Sequence, residues 1–237
     1  MQNQNTIKLP VWWIIILAPF GILLTSLFFN GFKEQVMEFK NILGINQGSM
    51  FALLVYTGST WVAVCIYFLL LKSKNLDFRK AGYRNKLTKK GIYGALICFG
   101  IAMIVYPIIE QLMLLFDLPM FWGKVGNAPV RQENTQDLFL GLLIAVILAP
   151  LTEDTIFRGY VLEMFNERSK KWTAIIISSL IFAILHFQFF GPGLTVYMFI
   201  WSILTSYLYI RFNNIYPSLL FHSLNNIWAY ILVPIIF

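Results

Sequence analysis

Ionisable and hydrogen-bonding side chains gather at three places where this chain is otherwise apolar. Residues 151–160 read LTEDTIFRGY and place Glu153, Asp154 and Arg158 at the end of the apolar run 138–150. The chain has two histidines, His186 and His222, and both also fall in apolar segments, the second with Asn226 four residues on. A titratable group at membrane depth is costly and rare, which makes it a functional-site candidate by default.

Helical phase divides the first group. Asp154 and Arg158 stand at i,i+4, on one face, and can pair. Glu153 is turned about 100° from Asp154 and is left to meet another helix. Asp154–Arg158 therefore reads as a structural clamp and Glu153 as a general base, its carboxylate tuned by partial desolvation. The competing reading is an ion-pair cluster that only fixes helix packing. His186, with Phe182 one turn before it, either works in a site or satisfies a backbone carbonyl. His222 and Asn226 share a face, and an imidazole beside a carboxamide can donate to an oxygen that becomes negative. As plain interhelical polar contacts they would contribute only about 1 kcal/mol each.

Taken together, a Glu, two His and an Asn on three segments are the parts of a water-activating acyl hydrolase. Glu153 with His186 would hold and deprotonate water, and His222 with Asn226 would stabilise the oxyanion. No Ser–His or Cys–His nucleophile arrangement is evident, and no HExxH is present. A zinc ion on Glu153, His186 and His222 is chemically allowed, but it leaves Asn226 without a role. The metal-free scheme ranks above it, with no cofactor expected.

The elements that must carry these residues are membrane helices. Of the 237 residues, 58% are hydrophobic and only 12% charged, about half the charged share of a soluble domain. Apolar content at that level, in long runs, implies a polytopic membrane protein. The two cysteines, Cys65 and Cys98, lie in apolar runs and read as small core residues. The net charge of +7 is carried by a loop, 72–90, with Lys72, Lys74, Arg79, Lys80, Arg84, Lys86, Lys89 and Lys90 against Asp77 alone. Such a cluster marks the cytoplasmic side and lipid headgroup contact. Nothing supports a nucleic-acid partner.

The pattern predicts an all-α bundle of about seven transmembrane helices. The expected spans are 10–30, 51–71, 91–116 (with Pro107 and Glu110 inside it), 138 onward to about 166, 172–189, 194–212 and 217–236. A short amphipathic helix is expected between the first two. Turns are expected at Gly191-Pro192-Gly193 and Asn213-Asn214. Residues 1–137 form an N-terminal region of three helices, and 138–237 a four-helix catalytic core. With the basic loop inside, thirteen Lys and Arg face the cytoplasm against four outside, which puts the amino terminus in the cytoplasm and the protein in the cell membrane. No internal repeat is present, which argues against a small transporter. One geometric tension arises. Glu153 and His186 lie about 20 Å from the cytoplasmic ends of their helices, whereas His222 lies about 8 Å from the start of its own.

Glu153-Asp154-x-x-x-Arg158, Phe182-x-x-x-His186 and His222-x-x-x-Asn226, in that order, resemble the EExxxR, FxxxH and HxxxN motifs of the CPBP family of intramembrane proteases, also called the Abi or CAAX prenyl protease 2-like family. The resemblance covers roughly 138–237. It implies an all-helical membrane fold and peptide-bond hydrolysis within the bilayer. The substrate expected is a membrane-associated peptide or protein tail, with membrane lipids as the surrounding partner. By resemblance Glu153 and His186 act on the attacking water while His222 and Asn226 hold the oxyanion. Asp154 departs from the family pattern, which has Glu there. The alternative that this departure motivates is a catalytically inactive scaffold or bacteriocin-immunity protein that acts by binding.

Overall fold

The computed structural model describes residues 27–28, 30–50, 52–54, 58, 78–121 and 134–232. Most of the first two expected spans, Cys65, the basic loop before Phe78 and the last residues of the seventh span lie outside them. Among the described residues the chain is all helical, without strands. The elements are α1 (Lys33–Leu43), α2 (Lys89–Leu115), α3 (Thr135–Asn166), α4 (Lys171–Phe190), α5 (Pro192–Phe212) and α6 (Tyr216–Asn226). A 3₁₀ turn, Phe78–Ala81, precedes α2, and a π segment, Ile227–Leu232, continues α6. Three helices, α2, α3 and α5, are long and apolar enough to cross a membrane. The expected short amphipathic helix is α1, closed by Gly44.

Sequence accounts for each boundary. Thr88 caps α2 by accepting from the Gly91 N–H at 3.1 Å, and Asn134 caps α3 by accepting from Asp137 at 2.8 Å. Asp137 is itself buried and accepts from the backbone N–H and side chain of Asn46 at 2.9 and 3.1 Å, which ties the segment after α1 to the start of α3. Pro192 and Pro217 stand in the first turns of α5 and α6, where a missing N–H costs nothing.

Helix α2 shows why the bundle packs as it does. Gly91, Ala95, Cys98 and Ala102 make a buried small-residue stripe, while Tyr93, Ile97, Ile101, Ile104 and Ile108 point outward. Small residues let apolar helices approach closely where lipid offers no hydrophobic driving force. That stripe meets α5 and α6. Cys98 is buried and free, the small core residue expected.

The basic segment behaves differently from the loop expected. Its Arg84 is paired within the protein: Arg84 Nη2 is 2.5 Å from Glu163 Oε1, which also accepts from the Tyr209 hydroxyl at 2.6 Å. Arg84 further donates to the Arg79 carbonyl at 2.8 Å and to the Asn213 side chain. Burial works against the Arg84 charge, but Tyr209 and Glu163 outweigh it and raise the guanidinium above its ordinary value. Glu163, on α3 and largely shielded, is the hub of these contacts. The pairing holds residues 78–88 across α3 and α5, and Ile215 N–H donates to Gly82 O at 2.9 Å, which adds the start of α6.

Two glycines permit this. Gly82 adopts φ +94°, a conformation L residues rarely take. Gly159 lies so close to the basic segment that a Cβ there would sit 2.6 Å from the Ala81 carbonyl oxygen. Gly159→Val is therefore expected to destabilise the fold by about 1–3 kcal/mol. A drop in the thermal midpoint of the purified, detergent-solubilised protein checks this, and an unchanged midpoint would refute the contact.

The depth tension resolves through the same contacts. Gly82 touches both the start of α6 and Tyr209, and its neighbour Ala81 touches Gly159, so the first turn of α6 lies level with Gly159 rather than with the end of α3. Asp154 is five residues from Gly159, about 7.5 Å along the helix, and His222 is seven from Ile215, about 10 Å. The seventh segment starts deep, and α3 runs about two turns beyond it.

Candidate active site

Helix α3 is not uniformly α-helical. Two π segments, Leu142–Leu148 and Phe157–Leu162, flank the α-helical turn Ala149–Ile156 that carries Glu153 and Asp154. A third π segment follows Asn226. π turns are rare and concentrate at functional sites, because each extra residue re-aims the side chains around it. Here they bracket the carboxylate pair and the His222–Asn226 face.

Arg158 is the largest fully buried side chain, at 0% exposure with Asp154 also at 0%. The expected clamp is present: Arg158 Nη1 lies 3.1 Å from Asp154 Oδ1. Other contacts to the guanidinium come from the motif residue Phe182 and from two residues the sequence did not signal, Trp201 and Ser202. Arg158 Nη2 donates to Ser202 Oγ at 2.8 Å, and its Cζ lies 4.6 Å from the Phe182 ring centre and 5.4 Å from that of Trp201. A cation between aromatic faces gains electrostatically where water is absent. Phe182 thus cradles Arg158, which joins the second motif to the first. Ser202 and Trp201 sit in an α5 whose Ser202, Thr205 and Ser206 are all buried; that stripe of small polar residues was the available signal.

Asp154 does more than clamp. Its Oδ1 also lies 3.3 Å from His222 Nδ1, so one buried carboxylate faces both Arg158 and His222. The opposite ring nitrogen, His222 Nε2, lies 3.8 Å from Glu153 Oε2. A carboxylate at Nδ1 fixes ring orientation and leaves Nε2 as the working atom. Trp201 packs edge-on against His222, ring centres 4.6 Å apart, and limits its rotation. Glu153 is partly exposed where Asp154 is not, so the two neighbours differ in environment as helical phase predicts.

His186 is set apart. Its Nδ1 lies 2.7 Å from the Phe182 carbonyl, its ring lies 4.4 Å from that of Phe182, and among the described residues no hydrogen bond or ion pair joins it to Glu153. It connects to His222 through Phe182 and Trp201, whose rings stack at 5.6 Å. Asn226 is buried on the His222 face and donates Nδ2–H to the Ala145 carbonyl at 2.7 Å. Asn225 points elsewhere as expected, accepting from the Tyr197 hydroxyl at 3.0 Å. Tyr83, from the basic segment, reaches Thr155 at 2.6 Å, one residue from Asp154, and burial raises its phenol above the ordinary value. Neither Tyr83 nor Thr155 carries a motif that sequence could flag. Glu110 is half-buried on α2, within electrostatic reach of Tyr106. Among the described residues no three of His, Cys, Asp and Glu are gathered so as to hold a metal, so the Glu153–His186–His222 set is not assembled as a zinc site.

These features define a helical membrane protein in which a Glu–His–Asp–Arg cluster is enclosed between apolar helices. Residues 135–228 match the family model described as type II CAAX prenyl endopeptidase Rce1-like, in agreement with the resemblance read from the three motifs. The matched stretch runs from the first residue of α3 into the π segment after α6 and contains every candidate site residue. The chain is also similar to an uncharacterised 24.3 kDa protein of Escherichia coli, 35% identical over 92 residues, which are 38% of this chain and 42% of that protein. The chain thus spans about two fifths of the length of that curated relative. No solved structure matches the chain.

Proposed function

We propose that this protein is an intramembrane endopeptidase that hydrolyses a peptide bond in a membrane-associated peptide or protein tail. The observation that carries the reading is the cluster itself: Glu153 faces His222 across 3.8 Å while Asp154 orients the same ring from its other side. In the proposed reaction Glu153 takes a proton from water, and the water oxygen attacks the scissile carbonyl carbon. His186 holds that water: with Nδ1–H donated to the Phe182 carbonyl, Nε2 is left as an acceptor. The carbonyl oxygen becomes the oxyanion. His222 donates to it from Nε2, and Asn226 donates the Nδ2–H not used on Ala145. Collapse breaks the C–N bond, and Glu153 returns its proton to the leaving amine.

The same reading makes the chain a multi-pass protein of the cell membrane, amino terminus inside, with the exposed Lys86, Lys89 and Lys90 at the lipid headgroups. The binding-only alternative was motivated by Asp154 in place of Glu. The shorter carboxylate still lies 3.1 Å from Arg158, which weakens that motive.

The test is cleavage of membrane-anchored peptides by the purified protein, wild type beside His186→Ala. The expected result is a loss of about 10²-fold or more in kcat for the variant. Equal turnover would remove His186 from the mechanism, and no cleavage by wild type of any anchored peptide would favour the binding reading. Activity is further expected to survive strong chelation with no zinc found by elemental analysis; loss on chelation with recovery on added zinc would overturn the metal-free scheme.

A further inference from the structure

One residue beside the site has no role in the reaction just described, yet two hydrogen bonds from α6 end on carbonyls four and five residues before it. Pro150 stands where the π segment of α3 gives way to the α-helical turn carrying Glu153. In the π segment the Ala149 N–H returns to the Ile144 carbonyl, five residues back. The next bond in that register would run from residue 150 to Ala145. In α register it would run from residue 150 to Val146. Proline has no N–H and makes neither. A buried carbonyl left without a donor is costly and takes one from elsewhere. Ala145 O receives Asn226 Nδ2–H at 2.7 Å, and Val146 O receives Ser223 Oγ–H at 2.8 Å. Both donors come from α6, one adjacent to His222 and one a turn beyond it.

We infer that Pro150 is a positioning residue for the oxyanion donors. Its missing N–H leaves unmade the one bond that residue 150 would send to Ala145 or Val146, and the Asn226 carboxamide and Ser223 hydroxyl donate to these two carbonyls from α6. Two hydrogen bonds from one helix face to neighbouring carbonyls set the rotation of α6 about its axis. That rotation turns His222 toward Glu153 and Asp154. It also engages one Nδ2–H of Asn226 and aims the other. Misplacement of such donors by about 1 Å is sufficient to lower rates by orders of magnitude. The inference rests on the proposed hydrolytic reading for its catalytic consequence, but the coupling between Pro150 and Asn226 stands independently of it.

The experiment is a double-mutant cycle of Pro150→Ala and Asn226→Ala, read by thermal midpoint in detergent and by kcat and KM on an anchored peptide. Alanine at 150 returns an N–H that can recover a carbonyl of α3. In the wild-type background Asn226→Ala leaves the Ala145 carbonyl without its donor and lowers the midpoint. In the Pro150→Ala background the same change is expected to lower it markedly less. In the kinetic arm Pro150→Ala is expected to reduce kcat on the order of tenfold with KM unchanged, and to cause no further loss once Asn226 is Ala. Equal effects of Asn226→Ala in both backgrounds, in midpoint and in kcat, would overturn the inference and leave the peptidase reading intact. A coupled midpoint cycle in a protein that cleaves nothing would uphold the coupling of Pro150 to Asn226 and remove the peptidase reading, and with it the oxyanion role. Should Pro150→Ala fail to accumulate, Ser223→Ala, which removes only the Val146 contact, is expected to reduce kcat severalfold at constant KM. A Ser223→Ala protein indistinguishable from wild type in both would also count against the inference.

Discussion

Glu153→Gln is expected to lower kcat by about 10²–10⁴-fold while leaving the fold intact. The substitution keeps the shape of a side chain that is partly exposed and whose ionic contact, to His222 Nε2, is long at 3.8 Å. Glutamine cannot accept the proton of the attacking water. The effect should therefore fall on kcat rather than on KM, since substrate binding in the ground state does not require the base. The thermal midpoint should move little. Single-turnover cleavage of an anchored peptide, with unfolding followed in the same preparation, separates the two. A Glu153→Gln protein as active as wild type would dismiss Glu153 as the base and, with it, the division of roles between the adjacent carboxylates.

The second large effect is on stability. Arg158→Met leaves Asp154, at 0% exposure, without the cation 3.1 Å away. Removing one partner of a buried ion pair costs about 3–5 kcal/mol, because the other charge stays desolvated. For a chain of this size that corresponds to a fall in thermal midpoint of roughly 6–20 °C. Arg158→Met with Asp154→Asn should recover a large part of the loss, because no uncompensated charge is left in the interior. Additive losses in the double variant would show that the Asp154–Arg158 pair is not the contact that matters. The double variant should nonetheless be catalytically impaired, since it removes the carboxylate that orients His222 through Nδ1. Stability recovered without activity would separate the two duties of Asp154, whereas full recovery of both would confine it to the clamp.

The sequence by itself determined the all-helical class and the membrane character, because periodic apolar runs leave the chain few other solvents. It determined both ends of α2 to α5 and the start of α6 to within about three residues, since Thr88, Asn134, Pro192, Asn213 and Pro217 are local signals that act without the rest of the fold. It also placed the Asp154–Arg158 pair, since i,i+4 geometry belongs to a single helix. The count of seven spans rests on segments outside the described residues, and its two N-terminal members are not addressed by the structure.

The tertiary structure alone decided what lies across from what. That His222, on α6, sits between Glu153 and Asp154 depends on how deep α6 begins. Depth is set by Gly82 and Gly159, through which residues 78–88 pack onto α3 and the start of α6. No local preference of α6 encodes that level. Likewise Arg84 counts as one more positive charge in the sequence, and only its approach to Glu163 and Tyr209 makes it an internal tie. The cradle of Phe182, Trp201 and Ser202 around Arg158 draws on α4 and α5, and only Phe182 stands in a motif. The physical reason is the same in each case. Hydrogen bonds and ion pairs within one helix follow from its fixed pitch, whereas those between helices depend on rotation and depth. Here rotation and depth are set by a few close approaches and by helix irregularities, Pro150 among them, whose consequences appear only once the neighbouring helix is in place.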